Sequence, residues 1–229
     1  AWGTGAISNA MWGGVLLRDL LARCGLESPE AAKRAGVAHI IMEGVDGTIA
    51  SIPVDKATSD KGDVILAYEM NGEPLPRDHG SPLRAVVPGH VGVRNIKWLS
   101  RIEASAEEAD GVGQRGIAYK VFGPSVKSID ESVDVAGTPT MQEMPVQSAI
   151  LLPRPGTAVE HDEVVSVEGY AYSGGGRGIV RVDVSADGGS SWQTATLSEG
   201  ASQPRDRAWA WTFWMADVKV PGDAAPVLV

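Results

Sequence analysis

Residues 64–80 read VILAYEMNGEPLPRDHG. The apolar run Val64–Met70 predicts a β-strand. Asn71-Gly72 predicts a tight turn at its end, because glycine tolerates a positive φ. Further strands are predicted on both sides of this one, over Val37–Met42, Ala50–Val54 and Leu83–Val87, with a mixed region over Val91–Ile102. This part of the chain is therefore predicted to form a sheet.

A single helix is predicted upstream of these strands, over residues 7–25. Apolar side chains recur there at three- and four-residue spacing, which makes one apolar stripe, and Gly25 is a natural C-terminal stop. Cys24 falls on the buried side of the stripe, so we expect an inert core thiol. One helix together with several strands indicates an α+β domain.

The chain from Pro145 onward has the pattern of an all-β domain. Residues 105–142, which precede it, are weakly patterned and predict a linker or a loop-rich segment. Five strands are predicted, over Gln147–Leu152, Val164–Ala171, Gly178–Ser185, Trp192–Leu197 and Trp209–Met215. This spacing is typical of an immunoglobulin-like sandwich, which has about seven strands. Two strands are therefore expected to be missing.

Composition excludes several classes of function. The net charge of −9 over 229 residues argues against a general affinity for nucleic acid, since phosphate binding needs a basic surface. Trp209, Trp211 and Trp214 are accordingly expected in strand core or interface rather than in a base-stacking platform. No run approaches the ~18 apolar residues of a membrane span. The single cysteine excludes an internal disulfide and a cysteine-based zinc site.

Residues 77–102 are basic within this acidic chain. Their only acid is Asp78, and their cationic or titratable residues are Arg77, His79, Arg84, His90, Arg94, Lys97 and Arg101. Loops that combine arginine and lysine with free backbone amides bind phosphates and oxyanions. Two interpretations stay open at this point: an anion site, or a set of solvated surface charges.

Several strings of this sequence belong to one specific pattern. They are Trp2–Ala10, Tyr68–Leu75, Asp78-His79-Gly80, Pro82-Leu83-Arg84, Val87-Pro88-Gly89, Lys97-Trp98-Leu99, Gln142–Ile150, Gly169–Arg177 and Arg207–Trp211. The pattern resembles the sulfite oxidase family, which also includes the assimilatory nitrate reductases. The sulfite oxidase branch is more similar, notably at Arg77–Gly80 and Trp209–Trp211.

The resemblance implies a fold and a domain order. It implies an α+β molybdopterin-binding domain followed by an immunoglobulin-like β-sandwich dimerisation domain, both incomplete in this chain. The first would span residues 1–142, including the linker, and the second residues 143–229.

The resemblance also implies roles for single residues. His79 and Arg84 resemble the residues that hold the pterin phosphate and its surroundings. Asn95, Ile96 and Lys97 match a stretch that contacts the cofactor, and Asp46 matches a pterin-contacting acid. For catalysis, Trp2 resembles a tryptophan that lines the substrate pocket, and Tyr119 matches the active-site tyrosine near the molybdenum oxo group.

The implied activity is the oxidation of sulfite to sulfate on a molybdenum–molybdopterin cofactor. Electrons would pass to a haem or to another acceptor such as a cytochrome, with any haem on a domain outside this chain. The resemblance further implies sulfite or another small oxyanion as substrate and a homodimer formed through the β-sandwich domain. It implies a place in the mitochondrial intermembrane space, with the peroxisome or the bacterial periplasm as alternatives.

Three positions depart from the family pattern. The cysteine that ligates molybdenum is expected before Ala1, and Cys24 does not match it, so no metal ligand is assigned and the chain alone is expected to be inactive. An arginine of the substrate pocket is expected beyond Val229. Ala118 stands where the family usually has an aspartate before the tyrosine. These departures leave open a fragment of a sulfite oxidase, a nitrate reductase, or a structural or interaction subunit with a decayed site.

Overall fold

A computed structural model describes residues 3–159 and 163–220. Within them the chain divides into two compact units. One unit is continuous and comprises residues 10–144. The other combines residues 3–9 with residues from 145 to 220.

The continuous unit is a mixed α+β unit, as predicted. Its helices and strands are, in chain order, β1 (Trp12–Leu16), α1 (Leu17–Arg23), α2 (Pro29–Arg34), β2 (His39–Gly44), β3 (Ile49–Pro53), α3 (Val54–Thr58), β4 (Ile65–Met70), β5 (Glu73–Pro74), β6 (Arg84–Val86), β7 (Leu99–Ser105) and α4 (Val112–Arg115). Short 3₁₀ helices lie at Arg77–His79, Gly92–Arg94 and Ile117–Tyr119.

Two antiparallel sheets enclose the core of this unit. In one sheet β4 pairs with β1, β5 and β6; the other has the order β3-β2-β7. The turn between β4 and β5 has the predicted form, with φ of 55° at Asn71 and 81° at Gly72. The apolar faces of the helices and sheets meet in one buried cluster, whose largest fully buried members include Leu17, Ile40, Met42, Ile52 and Ile96.

The predicted helix over residues 7–25 is wrong in its first half. Residues 12–16 form β1, which pairs with β4, and the helix covers only Leu17–Arg23. A side chain at Gly14 would overlap the backbone of Leu66 and Ala67. The glycine therefore lets two strands approach, and this tertiary pairing overrides the helical spacing of the apolar residues.

The prediction of a buried Cys24 is also wrong. The helix ends before it, and Cys24 is the exposed residue at the C-terminal cap. Because it is the chain's only cysteine, we expect the folded protein to react rapidly with a thiol reagent at about one equivalent per chain. The release of thionitrobenzoate from an aromatic disulfide measures this. Labelling that needs denaturant would contradict the exposed position.

The second unit is a β-sandwich. Its strands are β8 (Gln147–Leu152), β9 (Val164–Tyr172), β10 (Asp183–Val184), β11 (Gln193–Thr194), β12 (Thr196–Leu197) and β13 (Thr212–Lys219). One sheet has the order β12-β13-β9-β8, and β10 pairs with β11. Side chains from both sheets form a common core, including Val167, Val184 and Trp214. The predicted sandwich is therefore present.

Two predicted strands of the sandwich differ in extent. The strand predicted over Gly178–Ser185 is paired only at Asp183–Val184, and Val180 is 90% exposed. The strand predicted over Trp209–Met215 is shifted to Thr212–Lys219. Trp211 lies just before it and contacts the rings of Tyr170 and Tyr172.

Residues 3–9 are bound to the sandwich by side-chain hydrogen bonds. The Tyr170 hydroxyl donates to the Thr4 carbonyl oxygen at 2.9 Å. The Asn9 side chain pairs with the Trp211 backbone: its Oδ1 accepts from the Trp211 amide at 2.9 Å, and its Nδ2 donates to the Trp211 carbonyl. These contacts make the first described residues part of the sandwich.

Residues 105–142 are loop-rich, as predicted, with α4 and one 3₁₀ helix as the regular helices described there. No helix in the part of the chain that the structure describes has the length and apolar character to cross a membrane.

Candidate anion and cofactor site

The basic segment after β4 brings five of the predicted site residues into one neighbourhood, called here the basic cluster: Asp46, His79, Arg84, Asn95 and Lys97. His79 ends the 3₁₀ helix that follows β5, and Arg84 opens β6. Asn95 and Lys97 follow the next 3₁₀ helix, and Asp46 lies in the turn between β2 and β3. Hydrogen bonds and close approaches connect these segments.

Arg84 holds two of these segments together. Its guanidinium donates to the carbonyl oxygen of His79 at 3.0 Å and to that of Asn95 at 3.4 Å. The guanidinium carbon also lies 4.7 Å from the centre of the Trp12 ring, a cation–π distance. Burial lowers the pKa of Arg84, but arginine keeps its charge at neutral pH. The residue therefore supplies a fixed cation on an ordered support.

Lys97 supplies a second fixed cation. Its Nζ donates to the Asp78 carbonyl oxygen at 2.9 Å and lies 4.3 Å from the Trp98 ring centre. Trp98 in turn donates from Nε1 to the Arg77 carbonyl oxygen at 3.0 Å. The ammonium group is thus held beside the 3₁₀ helix that carries His79.

Gly80 lies between the side-chain stems of Arg84 and Lys97. Its φ is 109°, which favours glycine. A Cβ atom placed here would lie 3.0 Å from Lys97 Cβ and 3.1 Å from Arg84 Cβ. This position is therefore a close contact between the stems of two cationic side chains, and only glycine leaves both where they are.

Asp46 lies on the same side of the unit as Lys97. A Cβ at Gly44 would be 2.6 Å from both the Asp46 carboxylate and the Lys97 carbonyl oxygen. The carboxylate accepts hydrogen bonds from the Thr48 hydroxyl at 2.8 Å and the Thr48 amide at 3.1 Å. These bonds, with a smaller contribution from Lys97, lower the pKa of Asp46, so it is ionised at neutral pH.

The side chains of Asn95 and Ile96 support the loop rather than extend from it. Asn95 Oδ1 accepts from the Val87 amide at 2.7 Å. Ile96 is 1% exposed within the apolar core. The backbone amides of Ile96 and Lys97, in contrast, donate to no acceptor among residues 3–159 and 163–220. The predicted contact of this stretch with a ligand is therefore available through its backbone.

These features fit an anionic, phosphate-bearing group. The stems of two cationic side chains meet at Gly80, and the backbone amides of Ile96 and Lys97 have no acceptor among the described residues. This is the donor set that phosphates bind. Among the described residues, no group of three histidine, cysteine, aspartate or glutamate side chains is placed to hold a metal ion. The cluster therefore suits the phosphate end of a cofactor.

The two predicted catalytic residues lie elsewhere or outside the described residues. Tyr119 ends the 3₁₀ helix at 117–119, and its carbonyl oxygen accepts from the Met141 amide at 2.7 Å. No described hydrogen bond or ring contact links Tyr119 to the basic cluster. Trp2 lies outside the described residues. A cavity of about 760 Å³ is formed by the loop 121–139 alone and includes none of the predicted site residues.

Sequence reasoning missed two residues that the structure connects with the site region. Trp12 was expected on a helix, but it lies on β1 beneath Arg84. Arg94 was noted only as one of several basic residues, yet it is fully buried. An arginine between Val93 and Asn95 in a basic segment carries no sequence signal that separates a buried position from an exposed one.

His90, in the same basic segment, gives a testable pH dependence. Burial lowers the pKa of its imidazole to about 3, and the charges of Lys56 and Arg94 act in the same direction. Its Nδ1 is buried without a hydrogen-bond partner among the described residues. The unfolded chain binds this proton below about pH 6.5, whereas the folded chain does so only near pH 3. His90 therefore reduces stability as the pH falls from 6.5 towards 3.

We expect the wild-type free energy of unfolding to fall by about 1–2 kcal/mol more than that of His90→Gln between pH 7 and pH 5. Urea titrations of both proteins at the two pH values measure the difference. Because every other titrating group is shared, equal losses in the two proteins would contradict a neutral, buried His90.

Comparison with known proteins agrees with this geometry. Residues 1–112 match the model of the oxidoreductase molybdopterin binding domain, and residues 138–229 match that of the Mo-co oxidoreductase dimerisation domain. The chain is 50% identical over 226 residues to mitochondrial sulfite oxidase of Homo sapiens and 41% identical over 236 residues to sulfite oxidase of Arabidopsis thaliana; each match covers 96% of this chain. These matches cover 40% and 58% of the two relatives.

More distant relatives follow the same pattern. The chain is 35% identical to nitrate reductase [NAD(P)H] of Hordeum vulgare, with 96% of this chain and 26% of the relative covered. The crystal structure of the sulfane dehydrogenase SoxCD from Paracoccus pantotrophus superposes with a TM-score of 0.69 at 29% identity, over 90% of this chain and 47% of that one. With a molybdopterin-binding domain followed by a dimerisation domain, the chain belongs to the sulfite oxidase family.

Proposed function

We propose that this chain is part of a molybdenum-cofactor enzyme that oxidises sulfite to sulfate. The observation that carries the proposal is the basic cluster, in which Arg84 and Lys97 meet at Gly80 beside two free amides. The similarity to sulfite oxidases over 96% of the chain supports this choice of reaction. The balanced reaction converts sulfite and water to sulfate, two protons and two electrons.

The cluster residues would hold the molybdopterin cofactor by its phosphate. The forked guanidinium of Arg84 would bind phosphate oxygens, and the His79 side chain would contact the same phosphate. The backbone amides of Ile96 and Lys97 would donate hydrogen bonds to neighbouring phosphate oxygens. Asp46, which is ionised, would accept hydrogen bonds from N–H groups of the pterin. Asn95 would keep the loop in shape. When bound, the cofactor supplies oxygen-atom transfer and electron storage, which this chain's side chains cannot supply.

The substrate side of the site is assigned to Tyr119 and Trp2. The Tyr119 phenol would donate a hydrogen bond to the substrate oxyanion, and Trp2 would form a wall of the pocket. Ala118 leaves no carboxylate next to Tyr119, so the phenol would exchange its proton with water. The basic segment, residues 77–102, would raise the local concentration of anionic sulfite.

We propose a homodimer formed through the β-sandwich unit, in line with the dimerisation-domain match. We propose a domain boundary between residues 142 and 143, a few residues after the start of the second family-model range at residue 138. Electrons would leave to a haem on another domain or to a cytochrome. The names of several relatives support a mitochondrial location, and we propose the intermembrane space over the peroxisome or the bacterial periplasm.

One experiment tests the proposal on the full-length natural protein. Its molybdenum content is measured together with sulfite-dependent reduction of cytochrome c. About one molybdenum atom per chain with rapid cytochrome reduction is expected. A molybdenum protein that reduces nitrate and not sulfite would assign it to the nitrate reductase branch. Protein without molybdenum and without turnover would identify a structural subunit.

A further inference from the structure

Arg94 is a fully buried cation held by backbone and amide oxygens. Its relative exposure is 0%. One terminal nitrogen donates to the Gly113 carbonyl oxygen at 2.9 Å and to Gln114 Oε1, and the other donates to the Met141 carbonyl oxygen at 2.7 Å. It has no carboxylate partner within ion-pair distance among the described residues. Burying an arginine without a carboxylate partner costs desolvation free energy.

The groups that Arg94 binds lie on both sides of Tyr119 in the sequence. Gly113 and Gln114 precede Tyr119 by six and five residues. Met141 follows it and donates its amide to the Tyr119 carbonyl oxygen at 2.7 Å. A chain of two hydrogen bonds therefore connects the Arg94 guanidinium to the backbone of Tyr119.

Further hydrogen bonds join the segment that contains Tyr119 to residues 138–140. Lys120 pairs with Thr140 in an isolated β-bridge, and its Nζ donates to the Thr138 carbonyl oxygen at 2.9 Å. The Thr140 hydroxyl donates to the Gln114 carbonyl oxygen at 3.2 Å. Tyr119 is thus fixed between two segments that meet at Arg94.

The Arg94 guanidinium keeps its charge in this buried position. Burial lowers the pKa of the Arg94 guanidinium to about 10, and the negative charges of Glu108 and, when ionised, Tyr119 oppose this shift. The guanidinium is therefore charged at neutral pH. Its Nε finds no acceptor among the described residues.

We propose that Arg94 is a positioning residue for Tyr119: through Gln114 and Met141 it holds the segment that presents the phenol to the substrate. The inference rests on the proposed catalytic role of Tyr119. Arg94 is assigned no contact with substrate or cofactor. Its effect on turnover must therefore pass through the phenol.

A double-mutant cycle on the cofactor-loaded full-length protein tests this. Arg94→Lys keeps the charge but cannot bind both segments at once. We expect Arg94→Lys to lower the kcat for sulfite about tenfold when Tyr119 is present, with a smaller change in KM. In the Tyr119→Phe background the same change should lower kcat less than about twofold, because interacting residues are not additive. Equal losses in both backgrounds would overturn the proposal.

Two further proteins guard against misfolding and general damage. Gln114→Leu removes one acceptor of Arg94 and leaves residue 94 intact, so it must show the same dependence on Tyr119. Arg115→Lys is the matched control in the same helix and should leave kcat unchanged, since Arg115 is exposed and its one ion pair among the described residues is with Asp110. Independent effects of Gln114→Leu and Tyr119→Phe would count against the proposal even if Arg94→Lys failed to fold.

A spectroscopic measurement separates this inference from the proposed function. The chain has four tyrosines, so ¹³C-tyrosine labelling gives few ring resonances, and Tyr119→Phe identifies that of Tyr119. Arg94→Lys should shift or broaden this resonance and leave those of Tyr68, Tyr170 and Tyr172 in place. An unmoved Tyr119 resonance refutes the positioning role, whether or not the protein oxidises sulfite.

Discussion

Replacing Arg84 by alanine is expected to lower the molybdopterin and molybdenum content of the purified protein at least about tenfold. The change removes a forked cation that would bind the phosphate, and charge-assisted hydrogen bonds contribute about 1.5–3 kcal/mol each. It also frees the carbonyl oxygens of His79 and Asn95, which Arg84 now joins. The loop that carries the free amides would then lose its fixed shape.

The measurement is the molybdenum and pterin content per chain, from elemental analysis and from the fluorescence of the oxidised pterin. Arg101→Ala is the matched control. Arg101 lies in the same basic segment, but it is exposed and pairs with Glu43 and Glu103. Full cofactor content in Arg84→Ala, or an equal loss in Arg101→Ala, would contradict the assignment of the phosphate site to Arg84.

Replacing Gly169 by alanine is expected to destabilise the β-sandwich by about 3 kcal/mol or more, at the upper end of overpacking effects. Gly169 lies opposite Trp214 in the pairing of β9 with β13. A Cβ atom here would overlap the Trp214 ring and the Ala149 carbonyl oxygen. Trp214 is 4% exposed within the core, so its ring cannot move aside without disturbing both sheets.

Thermal unfolding followed by tryptophan fluorescence measures this loss, and we expect the transition assigned to the sandwich to move down by about 12–24 °C. Gly178→Ala is the control, because a Cβ there makes only an ordinary contact of 3.7 Å with Ala208. If dimerisation depends on the sandwich, sedimentation of Gly169→Ala should also show more monomer. A melting temperature equal to that of Gly178→Ala would refute the close packing at Gly169.

The sequence predicted those elements whose local pattern agrees with their final packing. Val64–Met70 followed by Asn71-Gly72 is an example, since the apolar run, the turn residues and the pairing all favour the same structure. The apolar spacing of residues 12–24 is the opposite case. There Gly13 and Gly14 allow a strand pairing with β4 that no property of the segment itself reveals, and Cys24 lies exposed just after the end of α1.

The strand predicted over Gly178–Ser185 is paired only at Asp183–Val184, again because pairing depends on distant residues. Its alternation is real, but Val180 faces solvent and Arg181 pairs with Asp183 along the same segment. Period-two patterning predicts an extended chain; it does not predict whether a partner strand lies beside it.

At the site, the cationic composition of residues 77–102 identified the region, and the structure brings Arg84 and Lys97 together. The roles of these residues, and those of Tyr119 and Trp2, stay predictions. The support provided by Trp12 and Arg94 was not predictable, because both depend on contacts across more than 40 residues of chain, such as that between Arg94 and Met141. Long-range pairing of this kind has no local signature.

The contacts of Thr4 and Asn9 with the sandwich have a consequence for synthesis on the ribosome. Their partners, Tyr170 and Trp211, are separated from them by 166 and 202 residues. At roughly 10 residues per second, Thr4 and Asn9 wait about 15–20 s until these partners have been synthesised. The continuous unit emerges complete during that interval and is free to fold first. Thr4 and Asn9 are therefore synthesised before the continuous unit but reach their native contacts only after it has been made.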